Sequence, residues 1–210
     1  MSGAPSRRRA RRVRAYVGLG GNLGEPAAVL AAGIRSLGAL PGARLVGVSR
    51  LYATAPWGVT DQPEFRNAVI ALDVPAGPDP ETGATILLVA LKELERAFGR
   101  RDRERWGPRE LDLDLLVFGR ARLAVDRPPG GRSLDPARAG RRLVVPHPEA
   151  RGRLFVLAPL ADLAPGLVPP GWGESVATAR VRALAREGPA AVRPVAAWDP
   201  RRRDWQPGAG

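Results

Sequence analysis

The stretch Leu111-Asp112-Leu113-Asp114-Leu115-Leu116 alternates apolar and acidic residues. In a strand, neighbouring side chains point to opposite faces, so the leucines would face a core while Asp112 and Asp114 project together from the other side. Two carboxylates on one strand face repel each other unless something positive lies between them. A hard divalent cation such as Mg²⁺, which prefers oxygen ligands, resolves that repulsion. Taken alone, two acids two residues apart form a weak motif and read first as a solvated strand face.

Their neighbours favour the metal. Arg100, Arg101, Arg103, Arg105 and Arg109 precede the pair closely. Mg²⁺ usually binds through one or two carboxylates plus substrate phosphates, and guanidinium forks match phosphate oxygens. The plain alternative is a solvated loop in which these arginines pair with Asp102 and Glu104. A loop so charged is a candidate lid over a phosphate site. Trp106, beside Gly107-Pro108, either tucks against the body or closes over a planar ring. Asn67 interrupts an apolar stretch, where its amide could read the donor and acceptor edge of a fused heterocycle or simply face water. Phe65 and Phe155 read as core. His147, the only histidine, lies between two prolines and could donate to a phosphate oxygen or bond within a turn.

Other chemistries are poorly served. There is no cysteine, hence no disulfide, thiolate site or cysteine nucleophile, which fits a reducing cytoplasm. A lone histidine without G-x-S-x-G excludes the common serine-hydrolase arrangement. Gly18, Gly20 and Leu23 break the dinucleotide-loop register, and the Walker lysine is missing. The glycines from Gly20 to Gly24 read as turn chemistry instead. No residue is an obvious strong general base.

These groups need a scaffold. Strands are predicted at 14–19, 43–52, 65–74 and 111–118, with helices at 26–37 and 81–98. Val29, Leu30, Ile34 and Leu37 recur at helical period in the first helix, and Leu87, Leu88, Leu91, Leu94 and Phe98 in the second. Pro26 suits a helix start and Gly99 a helix stop. The order βαββαβ predicts an α+β fold of ferredoxin-like type, with an antiparallel sheet and flanking helices. A short helical stretch is expected after Pro146-His147-Pro148, reaching Leu160, and another at 175–186. Residues 1–12 read as a disordered basic arm, 13–187 as the catalytic domain with a flexible insertion at about 120–142, and 188–210 as a loose tail.

The chain has 210 residues, of which 44% are hydrophobic, enough for one medium domain. The basic N-terminus has no apolar segment behind it and does not read as a secretory signal, and no apolar run is long enough for a membrane span. The net charge of +12 is almost all arginine. It suits an anionic partner, or it reflects an Arg-, Ala-, Gly- and Pro-rich coding bias. A nucleic-acid-binding protein is the main rival, disfavoured by the 5% aromatic content and the paired acids. A second rival is a relative that keeps the fold without the activity.

Several segments together resemble the 6-hydroxymethyl-7,8-dihydropterin pyrophosphokinase family (2-amino-4-hydroxy-6-hydroxymethyldihydropteridine diphosphokinase). They are Tyr16-Val17-Gly18-Leu19-Gly20-Gly21-Asn22-Leu23-Gly24, Tyr52 to Gly58, Asp61-Gln62-Pro63-Glu64-Phe65-Arg66-Asn67-Ala68, Arg105-Trp106-Gly107-Pro108-Arg109, Leu111 to Leu115, and Val145-Pro146-His147-Pro148 with Arg153 and Phe155. They follow the family order over residues 14–165. The resemblance implies a folate-pathway transferase that passes the β,γ-pyrophosphoryl group of ATP to the pterin hydroxymethyl oxygen, with two Mg²⁺ ions, and AMP leaving. It implies Asp112 and Asp114 as metal ligands. Arg100, Arg109, His147 and Arg153 would contact ATP phosphates, and Glu95 and Arg142 would line the nucleotide site. Phe65 and Phe155 would sandwich the pterin, Asn67, Thr54 and the Trp57 backbone would read its edge, and Trp106 would close over it. A cytoplasmic monomer acting on ATP and the pterin, without nucleic acid or membrane, is the expected form. The chain departs from the pattern at Asp102, where a second arginine is usual and Arg101 or Arg103 would have to substitute. It also departs at Ala55, at Lys92, in the longer 120–142 connection, and in the two termini.

Overall fold

A computed structural model describes residues 11–56, 61–99, 108–132 and 140–207. The elements run β1 (Arg12–Gly21), α1 (Pro26–Gly38), β2 (Arg44–Val48), β3 (Leu51–Thr54), β4 (Phe65–Pro75), α2 (Pro80–Ala97) and β5 (Asp112–Phe118). Then follow β6 (Leu123–Val125), β7 (Leu143–Val145), α3 (Leu154–Leu163), α4 (Val176–Glu187), β8 (Val192–Asp199) and β9 (Asp204–Pro207). One sheet has the order β5-β1-β4-β3-β8-β9, with β2 also on β4, and its neighbours pair antiparallel. β6 and β7 form a separate ribbon. The β5-β1-β4-β2/β3 part with α1 and α2 is the expected ferredoxin-like βαββαβ core.

Local chemistry sets the boundaries. Asp79 accepts from the backbone N–H of Thr82 at 2.9 Å and Pro80 follows, so α2 begins there. Gly99, at φ 86°, ends it. Ser175 caps α4 by accepting from the Thr178 N–H. The single strand expected over 43–52 is two strands. Between them the buried Ser49 bonds Val69 through its own N–H and its hydroxyl oxygen, both at 2.9 Å. The chain turns there without leaving a buried polar group unsatisfied.

Each face of the sheet carries helices. α1 and α2 bring Leu30, Ile34, Leu37, Leu87, Leu88 and Leu91 against Val17, Leu19, Ile70, Leu72, Leu111, Leu113 and Leu115. On the opposite face, Leu154, Leu157, Leu160, Val176, Ala179 and Ala183 of α3 and α4 pack on Tyr16, Tyr52, Val69, Ala71, Leu116 and Val117. Tyr52 ties that layer down by donating its phenol to Asp162 of α3 at 3.0 Å. Burial, with Asp162 beside it, pushes the phenol up to about 12.

Three expectations need correction. The loose tail from 188 is in fact a hairpin: β8 joins the edge of β3, and β9 joins β8. Trp198 and Trp205 meet edge to face at 5.1 Å, and the Trp205 indole donates to Ser49 O. Val195, Ala196 and Trp198 pack against the core once this stretch finds the free edge of β3. Within the insertion at 120–142, Leu123–Val125 form β6, which pairs with β7 directly after the insertion, while 133–139 lie outside the described residues. β1 begins at Arg12, inside the expected arm, and continues through Gly20 and Gly21, so the turn starts only at Asn22.

Candidate active site

Alternation places one set of side chains on the α3/α4 face of the sheet: Asp112 and Asp114 of β5, Gly18 and Gly20 of β1, Phe65 and Asn67 of β4, and Thr54 of β3. The register aligns them across strands. Gly18 lies opposite Asp114, Gly20 lies opposite both Asp112 and Asn67, and Thr54 lies opposite Phe65. Helices α3 and α4 cover this face only toward Tyr16, Ala71 and Leu116. The half bearing the acids and Asn67 is not part of that core. At Gly20 an added Cβ would stand 3.0 Å from Asn67 Oδ1, so the missing side chain is what lets the amide lie there. The glycines leave a low floor between the acids and the amide, a span of two strand spacings, about 10 Å.

β5 ends the main sheet, so its outer backbone edge needs other partners. Glu95 of α2 accepts from the Leu113 N–H at 2.7 Å, and Lys92 donates to Leu113 O at 3.0 Å and to Glu95 at 2.7 Å. The departure at Lys92 therefore has a role: with the 2%-exposed Glu95 it clamps the residue between the two acids. Further along this edge the His147 N–H donates to Leu116 O at 2.9 Å. His147 Nδ1 accepts from the Glu149 N–H at 3.3 Å, which leaves Nε2 as the protonated nitrogen and a donor. Burial pushes His147 below its usual pKa of 6.5. Asp114 and Asp112 oppose that, and Arg153 and Arg127 reinforce it.

The remaining site residues are held by neighbours. Arg109 forms an ion pair with Asp112, and its own N–H donates to Asn22 Oδ1 at 2.8 Å. Asn67 Nδ2 donates to Thr54 Oγ1 at 2.9 Å. Arg153, just ahead of α3, pairs with Glu149 and sits 5.6 Å from the Phe155 ring centre. Phe65 and Phe155 are half-buried and belong to neither apolar cluster, contrary to their reading as core. Arg142 is exposed and bound to Ala124 O and Asp126. Trp57, Arg100 and Trp106, with Arg101 and Arg103, lie outside the described residues.

Asp112 and Asp114 offer two hard oxygen donors, and no group of three or more Asp, Glu, His or Cys forms among the described residues. That set suits a cation completing its shell with substrate phosphates rather than a protein cage.

Two residues carry more than their sequence context announced. Asn22 is 2% exposed. It donates to Gln62 Oε1 and Pro63 O while its Oδ1 takes the Arg109 N–H, so one amide fastens the 61–63 and 108–110 segments together. Its signals were a glycine-rich context, which reads equally as a turn, and its place in the family-like segment from Tyr16 to Gly24. Arg127 lies within electrostatic reach of Asp114 and Glu95. Nothing in the sequence separates it from Arg120, Arg122 or Arg132.

A profile of the family described as 7,8-dihydro-6-hydroxymethylpterin-pyrophosphokinase matches residues 16–165. A Methylorubrum extorquens protein named 2-amino-4-hydroxy-6-hydroxymethyldihydropteridine pyrophosphokinase is 42% identical over 155 residues, covering 74% of this chain and 85% of its own. A Pseudomonas aeruginosa protein of the same name is 45% identical over 154 residues, covering 73% and 82%. Among solved structures, wild-type Plasmodium falciparum HPPK-DHPS superposes with a TM-score of 0.68 over 94% of this chain and 50% of that one, at 12% identity. The same protein with pterin and p-hydroxybenzoate gives 0.69 over 95% and 49%, also at 12%. The chain thus spans about half the length of those solved chains, and at that identity the likeness speaks for the fold alone. The matched profile, the two bacterial relatives and the shared fold agree: this chain belongs to the 7,8-dihydro-6-hydroxymethylpterin-pyrophosphokinase family, whose members carry out pyrophosphoryl transfer in folate biosynthesis.

Proposed function

We propose that the chain transfers the β,γ-pyrophosphoryl group of ATP to the hydroxymethyl oxygen of 6-hydroxymethyl-7,8-dihydropterin, forming the pterin diphosphate and AMP. The observation that carries this reading is the continuous sheet face running from Asp112 and Asp114 over the glycine floor to Asn67 and Thr54. Triphosphate and heterocycle can lie side by side across it, with the acceptor hydroxyl between them.

Asp112 and Asp114 would hold Mg²⁺, two ions on the family pattern, which supply charge neutralisation to the moving pyrophosphate. The chain's own work is positioning. Arg109, Arg153, Arg100 and the Nε2–H of His147 meet phosphate oxygens. Arg109 exchanges Asp112 for a phosphate as nucleotide arrives. Glu95 and Arg142 border the nucleotide. Phe65 and Phe155 stack on the pterin, Asn67, Thr54 and the Trp57 backbone read its edge, and Trp106 closes over the site. The protein works as a cytoplasmic monomer on small molecules, without nucleic acid or membrane. Among the described residues no helix is long and apolar enough to cross a membrane.

The test is direct. Purified chain is incubated with ATP, Mg²⁺ and the hydroxymethyl pterin, and the nucleotides are separated. AMP and pterin diphosphate should appear in equal amounts. ADP in place of AMP, or no pterin-dependent turnover, would overturn the reading. Calorimetry with a non-hydrolysable ATP analogue should show nucleotide binding before pterin.

A further inference from the structure

Arg127 stands just past β6, at the start of the long connection to β7. Its Nε is buried and has no hydrogen-bond partner among the described residues. Asp114 and Glu95 are the acids that act on it, Arg141 repels it, and it acts in turn on His147. Burial pushes its pKa below the ordinary value, which the two acids partly restore. Those acids have other work: Glu95 is taken up by Lys92 and the Leu113 N–H, and Asp114 by the proposed metal. A half-buried guanidinium whose Nε is shut off from solvent without a partner, within electrostatic reach of carboxylates committed elsewhere, is an arrangement an incoming anion completes.

The contrast with Arg142 strengthens the point. Arg142 is exposed and held to Ala124 O and Asp126. The insertion thus brings a different guanidinium to the acids.

We infer that Arg127 is a phosphate-binding residue of the nucleotide site, supplied by the β6–β7 insertion and gripping the triphosphate beside Asp114. This rests on the proposed ATP reaction and adds a residue to it. The rival role is a resident counter-ion that merely neutralises Asp114 and Glu95.

The experiment measures binding by calorimetry for wild type, Arg127→Gln and Arg127→Lys. The ligands are a non-hydrolysable ATP analogue with Mg²⁺, the same analogue without metal, and AMP. Thermal melting and Mn²⁺ binding without nucleotide are followed in parallel. Arg127→Gln should weaken analogue binding at least tenfold, with or without metal, and AMP binding less than threefold. Arg127→Lys should recover part of the loss. Mn²⁺ affinity should hold or rise, because a positive neighbour of Asp114 is gone. Unchanged analogue affinity with a lowered melting temperature would mark Arg127 as a counter-ion and overturn the inference. Equal losses for AMP and the triphosphate would overturn the phosphate assignment. Wild type that binds no analogue would bring down the ATP reading, and this inference with it. If Arg127→Gln does not fold, the lysine variant decides, since it keeps the charge while losing the fork: it should weaken the analogue more than AMP.

Discussion

One face of the central sheet is used in two ways. Toward Tyr16, Val69, Ala71 and Leu116 it is roofed by α3 and α4 and is as dry as any core. A few residues along the same strands, the positions become Gly18, Gly20, Asn67, Asp112 and Asp114, and the apolar layer ends: the glycines and both acids are half-buried, and Asn67 is buried against Thr54. The strands and hydrogen-bond ladder are continuous; only the side chains change. Packing on the roofed half holds the backbone rigid, and the bare half inherits that rigidity for groups whose placement chemistry demands. Stability and function should therefore separate along a single strand.

The sharpest way to break that separation is at the bare end. Asp114→Ala removes a proposed metal anchor and should lower turnover by roughly 10³-fold. AMP release in a coupled assay reads the effect, and the melting temperature should hold within a few degrees. Near-normal AMP release would show that the bare half is not where chemistry happens.

The roofed end should respond the other way. Leu160 is fully buried in the α3 layer. Leu160→Ala should cost about 3 kcal/mol of stability through lost burial and a residual cavity. Urea denaturation measures this, and turnover at 25 °C should stay within about twofold while the protein remains folded. A large loss of turnover in folded protein would mean the two halves are coupled.

Gly20 tests the floor between acids and amide. Gly20→Val would push Asn67 away, because even a Cβ comes within 3.0 Å of Oδ1. The KM for the pterin should rise about tenfold, consistent with displacing a specifying polar contact. Steady-state kinetics with ATP saturating would show it. An unchanged pterin KM would remove Asn67 from recognition.

What could be read in advance follows the same division. The alternation at 111–115 and the helical period at 81–98 are local patterns, so β5 and α2 sit close to where they were expected. Asp112 and Asp114 share a face because a strand has a period of two. The hairpin of β8 and β9 could not be read this way. Its stability comes from pairing with β3, about 140 residues earlier in sequence, and from Trp205 reaching Ser49, and neither contact leaves a local trace. Phe65 and Phe155 looked like core because apolar type does not reveal which face stays unroofed. Glu95 was placed by resemblance, but its hold on Leu113 depends on which strand lies beneath α2. Arg127 was one arginine among many, set apart only by the acids the fold brings to it.

The smallest expected effect concerns His147, at the boundary between the two halves. Burial lowers its pKa in the folded protein below the usual 6.5. As pH falls below 6.5, the unfolded chain takes up this proton before the folded chain does. Stability therefore rises with pH wherever the unfolded state binds more protons, and His147 contributes a loss on the acid side of 6.5 and none well above it. His147→Gln should flatten the fall in melting temperature below pH 6.5 and leave the alkaline side unchanged. Parallel melting curves for wild type and variant across this range would mean that the imidazole is as well solvated folded as unfolded. His147 would then belong to the open half of the face rather than to its border.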